Sequence, residues 1–448
     1  MRILLVQSFS RTIRPVFPVG LARIISLIKE KNEVAVFDPN IEIRIKDSLA
    51  EKIREFDPDL IGISLRNIDF VDYVGRVYFY PDFVNMLKFI KMIKPSVKIV
   101  VGGSAFSLFA NQIMVENDEI DVGVYLEGDE SFPELLEEFD NPLRVRGVFI
   151  RNSHRIKFTG KRPAVDFVSL PKPSYEYFDL HKYISRGIGI GIEAKRGCRL
   201  KCSYCPYPFL TGENLRIRSA EDVVDEIEFV TSQYGIKQFS FVDSVFTIPS
   251  EHSESICEEI ISRGLDISWS AWINEKTFTE EYARLALSAG CEGFFFSTDA
   301  FSDKSLRLLR KNYTNKDILL TVEKAQHVDN IKVGYGFFLN PPGSSIKTLA
   351  ATIRFLVKAK LTLKKKMHGR RLFLFNRIRI EPHTRIREIA IKENIITPHR
   401  NLLRPVYYTH GSTRLLEFVY DVLTWPIGVL IKLRRLRRVG LRRYFSSY

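Results

Sequence analysis

The stretch CRLKCSYC carries three cysteines, Cys198, Cys202 and Cys205, in the spacing C-x3-C-x2-C. A structural zinc ion takes four nitrogen or sulfur ligands in a closed tetrahedron. No histidine or cysteine lies within 40 residues downstream of Cys205, and the nearest upstream histidine, His181, is 17 residues before Cys198. A cubane iron–sulfur cluster, ordinarily held by four thiolates, is the natural alternative. With three thiolates one iron keeps an open coordination position, as catalytic metal sites do and structural ones do not. The cysteines follow the strand-like run GIGIGIEA (187–194), so one tight turn can wrap three corners of a cube, and the aromatic Tyr204 stands directly before the third cysteine. Cys257 falls inside a helix-period segment and Cys291 at a strand entrance, and both read as small buried hydrophobes.

C-x3-C-aromatic-C after the first strand of a β/α array resembles the radical S-adenosylmethionine (SAM) superfamily. That resemblance implies a 4Fe–4S cluster on Cys198, Cys202 and Cys205 whose open iron chelates the amino and carboxylate groups of SAM. Electron transfer then cleaves SAM to methionine and a 5′-deoxyadenosyl radical, so an external electron donor of flavodoxin or ferredoxin type is expected. FSFVDSVF (239–246) is similar to the second-strand motif that holds the SAM amino group, with Asp243 as its acidic member. GFFFSTDAFSDKSLRLLRK (293–311) resembles the segment GxESxxxxxLxxLxK, which puts Ser297 and Asp299 near the SAM ribose or carboxylate, with Asp299 in place of the commoner Glu. LNPPGSSIKT (339–348) is similar to a GxPGET turn, with Ser344 and Ser345 replacing Glu and Thr. IRIEPHTRIREIA (378–390) resembles an IRIxPxT strand from which Arg379 would face the cofactor. Tyr204 joins Asp243, Ser297, Asp299 and Arg379 as expected SAM contacts. Each polar residue also has a plain alternative as a strand-end cap or turn.

The elements that must position these groups are legible as hydrophobic periodicity. The runs RILLV (2–6), EVAVFD (33–38), LIGISL (60–65), VKIVVGG (97–103) and DVGVYLEG (121–128) are nearly continuous in Val, Ile and Leu, as strands of a parallel sheet covered on both faces should be. Helix-period segments at 20–31, 48–56, 81–94 and 130–139 alternate with them, which predicts a doubly wound α/β domain. Its ligands belong beyond the carboxyl ends of the strands. From GIGIGIEA onward a second β/α series follows, with strands at 238–243, 267–272, 293–298, 332–340 and 371–380. About six units suit a partial (β/α)6 barrel better than a closed eightfold one. Gly235, Gly264 and Gly290 stand just past helices, where a left-handed C-cap is needed. Residues 1–140 are thus expected as a Rossmann-type domain, 141–186 as a connector with a hairpin at 146–158, 187–395 as the core, and 396–448 as a basic, mostly helical C-terminal segment.

A doubly wound sheet ahead of a radical SAM core resembles the cobalamin-binding subclass of that superfamily, over residues 1 to about 395. The matching pieces are PVGLARIISLIKEKNEVAVFD (18–38), PDLIGISLRNID (58–69), VVGGSAF (100–106) and GVYLEGDESFPELL (123–136). Gly102, Gly103, Ser104 and Gly128 would let backbone approach a flat macrocycle. Ser64, Arg66 and Asn67 would offer donors to its amides or phosphate tail, and Asp129 and Glu130 complete the expected cobalamin set. Many cobalamin domains carry DxHxxG, whose histidine ligates cobalt; here QSFSRTIRPVFPVG (7–20) has none. Either cobalamin binds with its lower face unligated, or the domain is a structural α/β domain or another nucleotide site.

The formal charge is +14, and seven basic residues with no acidic one lie between Lys432 and Arg443, so half of the excess sits near the C-terminus. That segment has three readings: a core-packed helix with a solvated end, an amphipathic helix on anionic lipid with Trp425, Ile427, Leu430 and Ile431 on its apolar side, or a nucleic-acid contact. Pro426 and Gly428 are expected to break or bend it, and no RNA-binding motif accompanies the charge, so nucleic acid is not the expected partner. No run of 18 uncharged apolar residues occurs. The first residues read as a strand rather than a signal peptide. Five cysteines without paired spacing suit a reducing compartment, hence a cytoplasmic enzyme with peripheral membrane contact as an option.

The reading that joins these parts is a cobalamin-dependent radical SAM methyltransferase acting on an unactivated carbon of a small-molecule, lipid or peptide substrate. A second enzyme reading keeps the cofactors for cyclisation, rearrangement or C–C bond formation. A methylthiotransferase on tRNA would need three further cysteines in the first domain, and residues 1–197 contain none. A SAM- or cobalamin-responsive sensor is the non-enzyme alternative. No catalytic side chain is assigned.

Overall fold

The computed structural model describes residues 1–10, 15–70, 77–152, 155–184, 189–367 and 375–439, with side chains to 426. They fall into two compact units, one made of the described residues up to Ile184 together with those from Leu430 to Val439, the other of those from Gly189 to Val429. Among the described residues no helix is long and apolar enough to cross a membrane.

The first unit runs β1 (Arg2–Gln7), α1 (Val19–Ile28), β2 (Glu33–Phe37), α2 (Ile45–Phe56), β3 (Leu60–Ser64) and a short pair β4 (Asp69–Phe70) and β5 (Val77–Tyr78). Then come α3 (Tyr80–Ile93), β6 (Lys98–Gly102), α4 (Ser104–Glu116), β7 (Val122–Val124), α5 (Gly128–Glu137), β8 (Val148–Asn152), β9 (Arg155–Phe158) and α6 (Leu180–Ile184). The sheet order is β2-β1-β3-β6-β7-β8-β9. Its first five strands are parallel because each is returned by a helix. Ile3, Leu4, Leu5 and Val6 of β1 are all buried, each contributing roughly 1.5–3 kcal/mol. Gly123 lets Phe106 lie on β7, since a Cβ there would sit 2.1 Å from the Phe106 ring. The hairpin expected in the connector is no separate linker: β8 pairs antiparallel with β7 and β9 with β8, extending the sheet at one edge. The order reverses between β1 and β3, and a crevice for a ligand opens at such a switch point, beyond the strand carboxyl ends.

The second unit begins with β10 (Ile190–Ile192), β11 (Lys195–Arg196), α7 (Tyr207–Thr211), β12 (Arg216–Ile217), α8 (Ala220–Tyr234) and β13 (Gln238–Phe241). It continues with α9 (Ser250–Ser262), β14 (Ser268–Ile273), α10 (Glu280–Ser288), β15 (Cys291–Asp299), α11 (Asp303–Leu308), α12 (Asn315–Gln326), β16 (Val333–Phe337), α13 (Ile346–Leu363), α14 (Arg385–Lys392) and the first part of α15 (Arg414–Val439), whose residues from Leu430 group with the first unit. Five strands pair in parallel in the order β10-β13-β14-β15-β16, an open β/α barrel in sequence order. Ser219 and Thr279 cap α8 and α10 with side-chain oxygens, and Thr314 starts α12 with a capping box. Gly235, Gly264 and Gly290 all adopt positive φ, as the C-cap reading requires. The sixth strand expected at 371–380 lies partly outside the described residues; its remainder meets β16's end through one bridge, Phe338 to Asn376. The helix expected to break at Pro426 runs through it.

Candidate active site

The three cysteines occupy the loop after β10, and its shape is set by backbone contacts. Gly197 has φ +97°, and a Cβ there would meet the Asn214 carbonyl oxygen at 2.1 Å, so the loop can enter only through glycine. The Cys198 amide donates to the Gly212 carbonyl at 3.0 Å, and the Cys205 amide to the Cys202 carbonyl at 3.1 Å, closing the turn that the C-x2-C spacing needs. Ser203 is buried, with its amide on the Leu309 carbonyl and its hydroxyl on that of Leu308. The Ile386 amide donates to the Ser203 carbonyl at 2.7 Å. Burial, with neighbouring thiols adding to it, pushes Cys202 up to about 11 and Cys205 up to about 12. The three thiols are close enough to feel one another's charge, and three thiols on one loop suit three corners of a cubane.

Asp243, just past β13, is buried. Its Oδ1 accepts the amides of Ala194 at 2.9 Å and Lys195 at 3.1 Å, which fixes the end of β10. Its Oδ2 stands 3.6 Å from Lys195 Nζ and has no hydrogen-bond partner. Burial raises the Asp243 pKa and lowers that of Lys195, with their mutual attraction opposing both shifts. A buried acceptor left open beside the cysteine loop fits an ammonium group, as SAM presents. The Ser244 hydroxyl donates to the Gly197 carbonyl at 3.1 Å, so the same motif also steadies the loop.

Asp299 ends β15 in the left-handed region, at φ +63°. Its Oδ2 accepts from the Tyr204 hydroxyl and from Lys311 Nζ, each at 2.7 Å, and its Oδ1 accepts from the Ser297 hydroxyl at 3.0 Å. The Ser297 carbonyl in turn accepts from Lys311 Nζ and the Tyr313 hydroxyl. Burial works against the Lys311 charge, but Asp299 and the two tyrosines outweigh it and hold the ammonium well above its usual range. Tyr204, Ser297 and Asp299 are thus brought together, but as a latch from the cysteine loop to β15. Arg379 is held elsewhere, with Nη1 on Glu381 at 2.6 Å and Nη2 on the Leu402 carbonyl. Ser345 is the N-cap of α13, boxed with Thr348, so the Ser344–Ser345 departure serves a helix start.

Sequence reasoning missed Lys195, Glu275 and Tyr313, and passed over Lys311, the last residue of its own quoted segment. Glu275 follows β14, is buried with its Oε1 unpartnered, and is pushed by burial up to about 7, with Lys311 opposing. Glu275 carries one signal, a polar residue at the carboxyl end of a parallel strand; Lys195 lies in the short strand β11, and Lys311 and Tyr313 in the turn between α11 and α12. Cys257 and Cys291 are buried thiols in the body of the unit, as expected.

In the first unit the expected cobalamin residues collect along one edge. Gly103 has φ +102°, and a Cβ there would lie 2.7 Å from the Leu65 carbonyl oxygen. The Ser104 hydroxyl donates to the Arg66 carbonyl; Ser107 donates to Gly103 and accepts from the Leu126 amide. The ends of β3, β6 and β7, with Ser64, Gly102 and Gly128, are therefore tied into one narrow shelf of small residues. Arg66 and Asn67 are exposed. Such a shelf fits a broad macrocycle. Asp129 is buried in the first turn of α5, whereas Glu130 is exposed and pairs with Arg162 at 3.1 Å.

A model of the radical SAM superfamily matches residues 192–356, and a model of the B12 binding domain matches residues 14–136. The chain belongs to the radical SAM enzymes with a cobalamin-binding domain. Its cofactors are a 4Fe–4S cluster, SAM and cobalamin. An uncharacterized methyltransferase of Pyrococcus horikoshii is 27% identical over 85% of this chain and 79% of its own. Anaerobic magnesium-protoporphyrin IX monomethyl ester cyclase of Cereibacter sphaeroides is 26% identical over 62% of this chain, which spans 46% of that relative. The fold is shared with the radical SAM methyltransferase TsrM from Kitasatospora setae, at TM-score 0.72 and 22% identity, covering 88% of this chain and 76% of that one. As a radical SAM enzyme the protein needs an electron from outside and a substrate.

Proposed function

We propose that this enzyme methylates an unactivated carbon. The observation that carries the reading is the occurrence, on one chain, of the three-cysteine loop beside Asp243 and of a small-residue shelf at the carboxyl ends of a parallel sheet's strands. When bound, the cluster supplies the electron that cleaves SAM, and cobalamin carries the methyl group. Cys198, Cys202 and Cys205 hold the cluster, and Asp243 Oδ2 accepts from the SAM ammonium. Tyr204, Ser297 and Asp299 keep the loop fixed against β15, and Arg379 orients Glu381. Ser64, Arg66, Asn67, Gly102, Gly103, Ser104, Gly128 and Asp129 receive cobalamin, with Glu130 holding Arg162 at the rim. The proposed domain limits are 1–140, 141–186, 187–395 and 396–448, with the hairpin of 141–186 docked on the first sheet.

The proposed electron donor is of flavodoxin or ferredoxin type, and the substrate a small molecule, lipid or peptide. The proposed location is cytoplasmic, with peripheral membrane contact through the C-terminal segment. Anaerobic reconstitution with iron, sulfide, SAM and reduced cobalamin tests the reading without knowing the substrate. Release of S-adenosylhomocysteine marks methyl donation and is the expected result. Cleavage of SAM to 5′-deoxyadenosine without S-adenosylhomocysteine would overturn methylation and favour cyclisation, the chemistry named for the Cereibacter relative.

A further inference from the structure

Helix α15 is inside out. An amphipathic helix of a globular protein turns its apolar stripe to the core and its charged face to water. Here the docked face is polar. Glu417, buried, pairs with Arg377 Nη1 at 2.8 Å and accepts from Asn340 at 2.9 Å. Asp421 pairs with Arg377 Nη2 at 2.6 Å, and Tyr420 accepts the Phe375 amide at 3.1 Å. The opposite face carries Leu415, Phe418, Val419, Val422, Leu423 and Trp425, exposed by 76%, 65%, 44%, 56%, 71% and 69%. At 3.6 residues per turn these six side chains fill one arc of about 160°. Both acids of the stretch, Glu417 and Asp421, are spent on Arg377, so the outward arc bears no negative charge.

The chain beyond this face is strongly basic. The helix continues to Val439, and the seven basic residues from Lys432 to Arg443 have no acidic residue among them. A second copy of the chain seated on the arc would leave the basic run without an anionic partner. A nucleic acid would leave the apolar side chains in water. An anionic bilayer surface answers both features, since apolar groups enter the headgroup boundary while the cations meet lipid phosphates and carboxylates. Trp425 suits that boundary, with an apolar body and one polar N–H.

We infer that the outward face of α15, from Leu415 to Trp425, seats on an anionic lipid surface, with the following basic run holding it there. This gives the peripheral contact proposed above its surface and its lipid chemistry, and it holds whichever reaction the core performs.

The test is co-sedimentation of the intact chain with phosphatidylcholine vesicles, with and without phosphatidylglycerol, at two salt concentrations. Two variants accompany it, Phe418→Ser/Val422→Ser and Arg434→Gln/Arg435→Gln/Arg437→Gln/Arg438→Gln. Both leave the Arg377 ion pairs intact, and an unchanged melting temperature verifies folding. Binding that needs phosphatidylglycerol, weakens with salt and drops roughly tenfold or more in each variant is expected. No sedimentation with either vesicle would overturn the inference, as would binding indifferent to Phe418→Ser/Val422→Ser. Concentration-dependent dimerisation without vesicles, abolished by that same variant, would assign the face to self-association instead.

Discussion

Replacing Asp299 with asparagine keeps the side chain's shape and removes its charge, leaving Lys311 buried without a counter-ion. The two side chains are 4% and 5% exposed, and breaking a buried pair from one side costs about 3–5 kcal/mol. For a unit of this size each kcal/mol is worth about 2–4 °C, so its melting temperature should fall by roughly 6–20 °C. The loss has a defined pH dependence. In the native protein Lys311 is charged folded and unfolded near neutrality, with its folded pKa raised, so this lysine contributes no slope there. Its stabilisation is lost only as pH rises through that raised value. In Asp299→Asn burial depresses the folded pKa instead, the unfolded chain binds more protons, and stability climbs with pH toward the unfolded value of about 10.4. The gap between the two proteins should therefore narrow from neutral pH to about pH 9. Asp299→Asn/Lys311→Met removes both charges and should recover most of the loss. Scanning calorimetry of cluster-free protein under reductant reads all three. A fall under about 2 °C in the single variant, or a double variant no better than the single one, would refute the pairing.

Glu275, raised from 4.5 to about 7, binds a proton in the folded state that the unfolded chain has released between those values. Stability should therefore drop by about 3 kcal/mol as pH rises through that window, and urea titrations should find this component missing in Glu275→Gln. Asp243→Asn removes the open carboxylate oxygen, so calorimetric titration of reconstituted protein should give roughly tenfold or more weaker SAM binding, with cluster absorbance retained. Unaltered affinity would take Asp243 out of the SAM site. Gly197→Ala drives a methyl into the Asn214 carbonyl, and iron analysis after reconstitution should find the cluster content sharply reduced. Gly103→Ala should lower the cobalamin retained through gel filtration, by forcing the Leu65 loop away.

The strands of both sheets were legible because buried parallel strands are written as unbroken Val, Ile and Leu, and the glycine C-caps because only glycine takes those angles cheaply. The cysteine loop was legible for a different reason, since its spacing has few other uses. What stayed hidden depends on burial, which sequence spacing does not encode. Asp299 was legible as a site residue, but nothing in its spacing shows that Tyr204 and Lys311 meet on its carboxylate. Lys195 and Glu275 are ordinary surface residue types that the barrel encloses at strand ends. In the last helix the apolar side chains were visible, but which face they occupied was fixed by a single arginine, Arg377, distant in sequence.

The loop that carries the three thiols is fastened chiefly by groups other than the thiols. Gly212 holds the Cys198 amide, Leu308, Leu309 and Ile386 hold Ser203, and Asp299 holds Tyr204. The conformational entropy of this loop is therefore spent when the chain folds, and acquiring iron and sulfide becomes a filling step rather than a folding step. An enzyme of this kind, stripped by oxygen, would keep its mould. Its recovery would depend on the supply of iron and sulfide, with no new round of synthesis.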